Sequence, residues 1–190
     1  MKFIEKSNGL YITGIDGNDL AWRNLGGRPR DDNPDKKDHY VDIKVSDTKL
    51  LEFLIGQGVV VKDAPDYKNP DVLNHVVRFK AYPKIKRNPI TGKESAVPKV
   101  VIKVISTGDA RQLDIPSFGE ADSVSRNSKD ISIKFHIFSS DYHGMHYIPS
   151  IDEYYCSVEE IDDSNEDYLG DLYGVHNMDP NEGDDDVPFV

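Results

Sequence analysis

HVVRFKAYPKIKRNPITGKESAVPKVVIKVI, residues 75–105, is the stretch whose reading decides the fold class. Successive side chains on a strand point to opposite faces. In the first run Val77, Phe79 and Ala81 therefore take one face, while Arg78, Lys80, Tyr82, Lys84 and Lys86 take the other. In the second run Val100, Ile102 and Val104 point inward, and Lys99, Val101 and Lys103 point outward. NPITGKES lies between them at 88–95 and is rich in turn formers, so the spacing predicts one long hairpin. Short runs of period two, rich in β-branched and aromatic residues, suit an antiparallel all-β domain better than a parallel α/β one.

The same period recurs on both sides. Leu10–Thr13 is a candidate first strand, and a loop with Gly26, Gly27, Pro29 and Pro34 is expected after it. HYVDIKV at 39–45 places His39, Val41, Ile43 and Val45 on one face and Tyr40, Asp42 and Lys44 on the other. ISIKFHIF at 131–138 turns Ile131, Ile133, Phe135 and Ile137 inward and Ser132, Lys134, His136 and Phe138 outward. Further strands are expected around His146–Ile148 and Glu153–Val158. The one helical period runs from Asp47 to Ile55, with a capping aspartate, Leu50, Leu51, Leu54 and Ile55 at helical spacing, and a stop at Gly56 and Gly58. Six or seven strands and one short helix predict a small barrel or sandwich.

The chain has 190 residues, enough for one domain and an appendage, and its apolar share of 37% lies below the usual ~45–50%. Its net charge of −11 argues against a simple basic nucleic-acid binder, but that charge is concentrated at one end. Residues 159–190 carry twelve carboxylates and no Lys or Arg, whereas residues 1–158 hold 22 acidic and 23 basic side chains. The organisation read from this is a near-neutral domain over 1–158 and an acidic, disordered tail over 159–190. A single cysteine, Cys156, and an N-terminus without an apolar signal stretch point to a reducing cytoplasm. No window of 18 apolar residues offers a membrane span.

Between Arg78 and Lys103 there are eight basic residues and one acidic one, Glu94. A row of cations with an aromatic ring among them suits single-stranded nucleic acid of any sequence, because cations neutralise phosphates while a ring stacks on a base. The candidate DNA-binding residues are Trp22, Arg28 and Arg30 in the early loop, then Arg78, Lys80, Tyr82, Lys84, Lys86 and Arg87, and finally Lys99, Lys103 and Lys134. Tyr142, Tyr147, Tyr154 and Tyr155 could extend the platform. A lysine-rich sheet edge that resists aggregation would give the same pattern.

Catalytic patterns are missing: there is no phosphate-binding glycine loop of the nucleotide-hydrolase type, no nucleophile elbow, and no His placed beside Cys156. His143 and His146 have a two-residue gap that zinc can use, but lack a cysteine pair or a helical ligand motif. No enzyme, metal or cofactor is expected.

The chain closes on Asp184, Asp185 and Asp186 followed by Val187, Pro188, Phe189 and Val190, an apolar tip on an acidic lead. This resembles the acidic C-terminal tip of bacterial single-stranded DNA-binding proteins, which docks replication and repair enzymes. The order of GGRPRDDNP, HYVDIKV, a short helix, VVRFKAYPK, VVIKVIS, ISIKFHIF and YYCSVEEI before an acidic tail resembles phage replication single-stranded DNA-binding proteins with an OB fold. That likeness implies a five-stranded OB-like antiparallel barrel with an inserted helix, homodimers as the common assembly, and a tail that reaches the DNA groove when DNA is absent. The expected function is to coat single-stranded DNA in the host cell cytoplasm during replication and recombination. Asp184–Phe189 would recruit a DNA polymerase or a helicase-primase. The rival readings are an acidic DNA mimic that inhibits a host nuclease or restriction enzyme, and a single-stranded RNA-binding module.

Overall fold

The computed structural model describes residues 1–30, 33–66, 69–84, 87, 92, 94, 97–140 and 146–159, with backbone alone at 28–30, 33–36 and 140. Lys86, Tyr142, His143 and the whole acidic segment from Glu160, including Asp184–Phe189, lie outside the described residues.

Among the described residues ten strands and two α-helices follow one another as β1 (Lys2–Lys6), β2 (Gly9–Ile15), β3 (Leu20–Arg30), β4 (Asn33–Lys44), α1 (Thr48–Gly56), β5 (Lys62–Pro65), β6 (Leu73–Lys80), β7 (Lys99–Val104), β8 (Ala110–Leu113), α2 (Phe118–Ser125), β9 (Asp130–Ser140) and β10 (His146–Val158). The protein is all-β and OB-like, built on one sheet in the order β1-β2-β9-β10-β6-β4-β3, with β5 added to β6, β7 added to β10 and β8 added to β7. Among the described residues no ladder joins β3 to β1, so hydrogen bonds do not close the sheet into a barrel.

Its inward residues nevertheless form one core. Ile12 pairs in register with Ile133, Ile133 with Tyr154, Phe135 with Ile151, and Val41 with Phe79. All are buried, and the Phe79 ring meets Phe135 edge to face at 5.2 Å. Each fully buried apolar side chain contributes about 1.5–3 kcal/mol. The helix at 48–56 starts where its period places it. Asp47 caps it by accepting from the Leu50 amide at 3.0 Å and also accepts from Phe3 of β1 at 3.1 Å.

Several expectations are corrected. The runs at 73–80 and 99–104 do not form a hairpin: β6 and β7 both run parallel to β10, on one edge of it. Lys80 pairs with Ser150, and three residues further along β10 Glu153 pairs with Lys99. Among the described residues between β6 and β7, an isolated antiparallel bridge joins Arg87 to Glu94. The glycine- and proline-bearing residues 26–30 and 33–34, expected in a loop, belong to β3 and β4 and form the far half of the hairpin between them. The strand candidates at 146–148 and 153–158 are one strand, bulged between Ile151 and Glu153. A second helix, α2, was not read from the sequence. Its eight residues contain Gly119 and two serines, too weak a helical pattern to stand out.

Candidate functional site

Three cross-strand rows build the outer face of the β3–β4–β6 sheet. Tyr40, Asp42 and Lys44 alternate outward on β4 and pair with Lys80, Arg78 and Val76 of β6. Trp22 of β3 pairs with Asp42 because the ladder shifts between Leu20 and Trp22. Without that bulge Trp22 would sit opposite Val41 and face the core beside Leu20; one extra residue turns its ring outward, where it is 47% exposed. The neighbouring Arg23 pairs with Val41 on the inner side, and burial lowers its pKa.

Along β6 and the start of β10 this face is hollowed into an open groove of about 200 Å³. Lys62, Arg78 and Lys80 supply its cations, Val59, Val60, Val76 and Pro149 its apolar floor, and His146 and Tyr147 its far wall. Tyr147 is 41% exposed. Its position depends on Gly58 just after α1, which has φ +77° and would carry a Cβ only 3.0 Å from the Tyr147 ring. Any other residue there would push that ring away.

Arg78 is tightly held. Its Nε and Nη2 donate to the two oxygens of Asp42 at 2.8 Å each, and its guanidinium carbon lies 3.6 Å from the centre of the Tyr40 ring. The hydrogen bonds to Asp42 raise its pKa further above the ordinary arginine value. Lys80 Nζ stands 3.9 Å from Asp38.

The expected row ends at Lys80. Ala81 and Tyr82 are both buried, so the alternation breaks there, and the Tyr82 ring packs on Phe138 with centroids 5.6 Å apart. Tyr82 is therefore not an exposed stacking ring. Burial first, and Asp38 second, push its hydroxyl up to about 12. Phe138 was expected outward, and it is buried by this same contact. Lys84 and Arg87 are exposed in the segment beyond.

Lys99, Lys103 and Lys134 do not join the Arg78 row. They lie further along the same outer side of the sheet, across β7, β9 and β10, where Glu153 accepts from Lys134 at 3.2 Å and from the Tyr155 hydroxyl at 2.6 Å. Lys99 sits 5.6 Å over the Tyr155 ring. The hydrogen bond from Tyr155 first, and that from Lys134, hold the Glu153 carboxyl below the usual range. Arg28 and Arg30 lie on β3 opposite Asp38 and Asn33.

Tyr154, weighed as a platform ring, is fully buried with its hydroxyl 2.7 Å from Ser125 Oγ. Cys156 is buried and its thiol is pushed up to about 11 by burial. Among the described residues no group of three or more His, Cys, Asp or Glu is placed to hold a metal ion, and no helix is long and apolar enough to cross a membrane. Sequence reasoning missed Lys62, Tyr40 and Asp42 as site residues. Tyr40 and Asp42 were legible as outward on β4, but nothing local showed that β4 lies beside β6.

The site thus defined is a surface groove in which Lys62, Arg78 and Lys80 stand beside the exposed Tyr147 ring, with Trp22 exposed on the same sheet face. No protein-family model matches the chain, and no curated protein matches it. In structure it resembles phage single-stranded DNA-binding proteins. One, from bacteriophage Enc34 and solved in complex with ssDNA, has TM-score 0.48 and 10% identity over 83% of this chain and 94% of that one. Another, gp2.5, a single-stranded DNA-binding protein encoded by bacteriophage T7, has TM-score 0.43 and 10% identity over 86% and 98%.

Proposed function

We propose that this protein binds single-stranded DNA in the groove on the outer face of β4 and β6, coating it without sequence preference during phage replication and recombination. The observation that carries the reading is the groove itself, where Lys62 and Lys80 share walls with Tyr147 while Trp22 and Tyr40 lie exposed or half-exposed on the same sheet face. Lysines neutralise phosphates and rings stack on bases of any identity, which favours an unpaired strand over a duplex. Lys84, Arg87, Lys99, Lys103 and Lys134 would extend the cationic track beyond the groove. Tail-borne recruitment of a DNA polymerase or helicase-primase through Asp184–Phe189, homodimers and a location in the host cytoplasm belong to the same reading. A DNA mimic needs its negative charge on a folded surface, and residues 1–158 carry nearly balanced charge.

Gel mobility with single-stranded DNA, duplex DNA and single-stranded RNA of equal length tests this. Single-stranded DNA should be retarded at the lowest protein concentration. Tighter binding of RNA would make the protein an RNA-binding module, and no binding of any of the three would end the reading. Reversing Lys62 and Lys80 to Glu together should weaken binding more than tenfold and flatten the plot of log affinity against log salt by about 0.7 per lost phosphate contact. An unchanged slope in the folded double variant would take the groove out of the site.

A further inference from the structure

Resting on the single-stranded DNA reading, we infer that the Arg78 guanidinium is a seat for an unpaired nucleobase and not a phosphate ligand. Three observations converge on it. A carbon 3.6 Å from a ring centre can only lie over the ring's face, and an upright guanidinium at that distance would drive its nitrogens into the ring, so Arg78 is stacked flat on Tyr40. The paired hydrogen bonds to Asp42 hold the plane in that orientation. The Arg78 side chain is nevertheless 44% exposed and lines the groove, so the face turned away from Tyr40 opens onto it.

The charge argument points the same way. Arg78 and Asp42 together are neutral, so a phosphate approaching the pair releases no net counterion and meets a carboxylate at the guanidinium's edge. A nucleobase needs only the flat, weakly hydrated face, which is what remains available. Trp22, directly across Asp42, presents a second ring on the same row, and Lys80, one outward position along β6, stands where a backbone phosphate would be neutralised.

Binding of a thymidine oligomer, and of the same oligomer made abasic at alternate positions, is measured across a salt series for the parent, Arg78→Lys and Asp42→Asn. Arg78→Lys keeps the charge and removes the plane. The preference for the intact oligomer should shrink by roughly tenfold with the salt slope unchanged. Asp42→Asn frees the guanidinium for phosphate and should steepen the slope by about 0.7. An unchanged preference in Arg78→Lys, or a shallower slope, overturns the seat. If Arg78→Lys fails to fold by thermal denaturation, an Asp42→Asn slope equal to the parent's overturns it independently, since a phosphate ligand would already have been counted. A parent protein that binds neither oligomer overturns the single-stranded DNA reading and the seat with it, whereas one that binds both with equal affinity overturns the seat and the stacking of bases on rings while leaving single-stranded DNA binding through phosphates.

Discussion

Tyr82 shows how far a single side chain's role depends on what lies over it. By alternation it belongs with Arg78 and Lys80, but the strand ends at Lys80 and the next two side chains both turn into the protein, bringing the Tyr82 ring onto Phe138. Tyr82→Ala is accordingly a stability variant: it should lower the unfolding free energy by about 3 kcal/mol in urea titration, while the folded fraction retains the parent's affinity for DNA. The hydroxyl gives a second readout. Its pKa is about 12 in the folded protein and roughly 10 in the unfolded chain. The folded state thus holds this proton more tightly, and the associated stability is complete below pH ~10 and lost as pH rises toward 12. Tyr82→Phe should lose less stability than the parent across that window. Equal pH slopes for the two proteins would show that the hydroxyl is not buried.

At the level of elements, the β3–β4 hairpin is steered by α2. Asp122 of that helix accepts from the amides of Leu25 and Gly26, each at 2.9 Å, at the place where the β3–β4 ladder shifts register between Asn24 and Arg28. Gly26 lies so close that a Cβ there would be 2.8 Å from the Cα of Gly119, so the helix backbone rests directly on the strand. Removing the carboxylate leaves two partly buried amides without these acceptors, a loss of about 1–3 kcal/mol for each. Asp122→Ala should therefore lower stability by on the order of 3 kcal/mol and speed hydrogen exchange at Leu25 and Gly26 beyond the global change. Since β3 carries Trp22, Arg28 and Arg30, binding of single-stranded DNA should weaken as well. Parent-like exchange at both amides would show that the clamp is dispensable.

For the whole molecule, the decisive quantity is the division of charge between residues 1–158 and the twelve carboxylates after them. If those carboxylates compete with DNA for the groove, covalent attachment would supply them at an effective concentration on the order of millimolar, and the attraction would be screened beyond ~10 Å at 0.1 M salt. Removing residues 160–190 should tighten single-stranded DNA binding, most at low salt and progressively less as salt rises. If Asp184–Phe189 docks a DNA polymerase or helicase-primase as proposed, the same truncation should abolish retention of that enzyme, and Phe189→Ala should weaken the retention while leaving DNA affinity close to the parent's. A truncated chain that binds DNA more weakly at every salt concentration would mean that the acidic segment supports the site instead of competing for it.

Local pattern by itself determined the all-β class, the inward faces of the strands at 39–45, 75–80 and 131–137, the helix capped by Asp47, and the uneven distribution of charge. Each follows from residue spacing and type, which act within a few positions along the chain. Tertiary structure alone decided which strands became neighbours. One edge of β10 takes β6 and then β7 in parallel, so the cations of a single expected hairpin are spread along the outer side of one sheet, Arg78 and Lys80 beside β4 and Lys99 and Lys103 opposite Glu153 and Ser157. A one-residue bulge in β3 likewise turned Trp22 from the core to the surface. Pairing and register depend on which apolar faces can be buried together across the whole chain, and a period of two is silent about both.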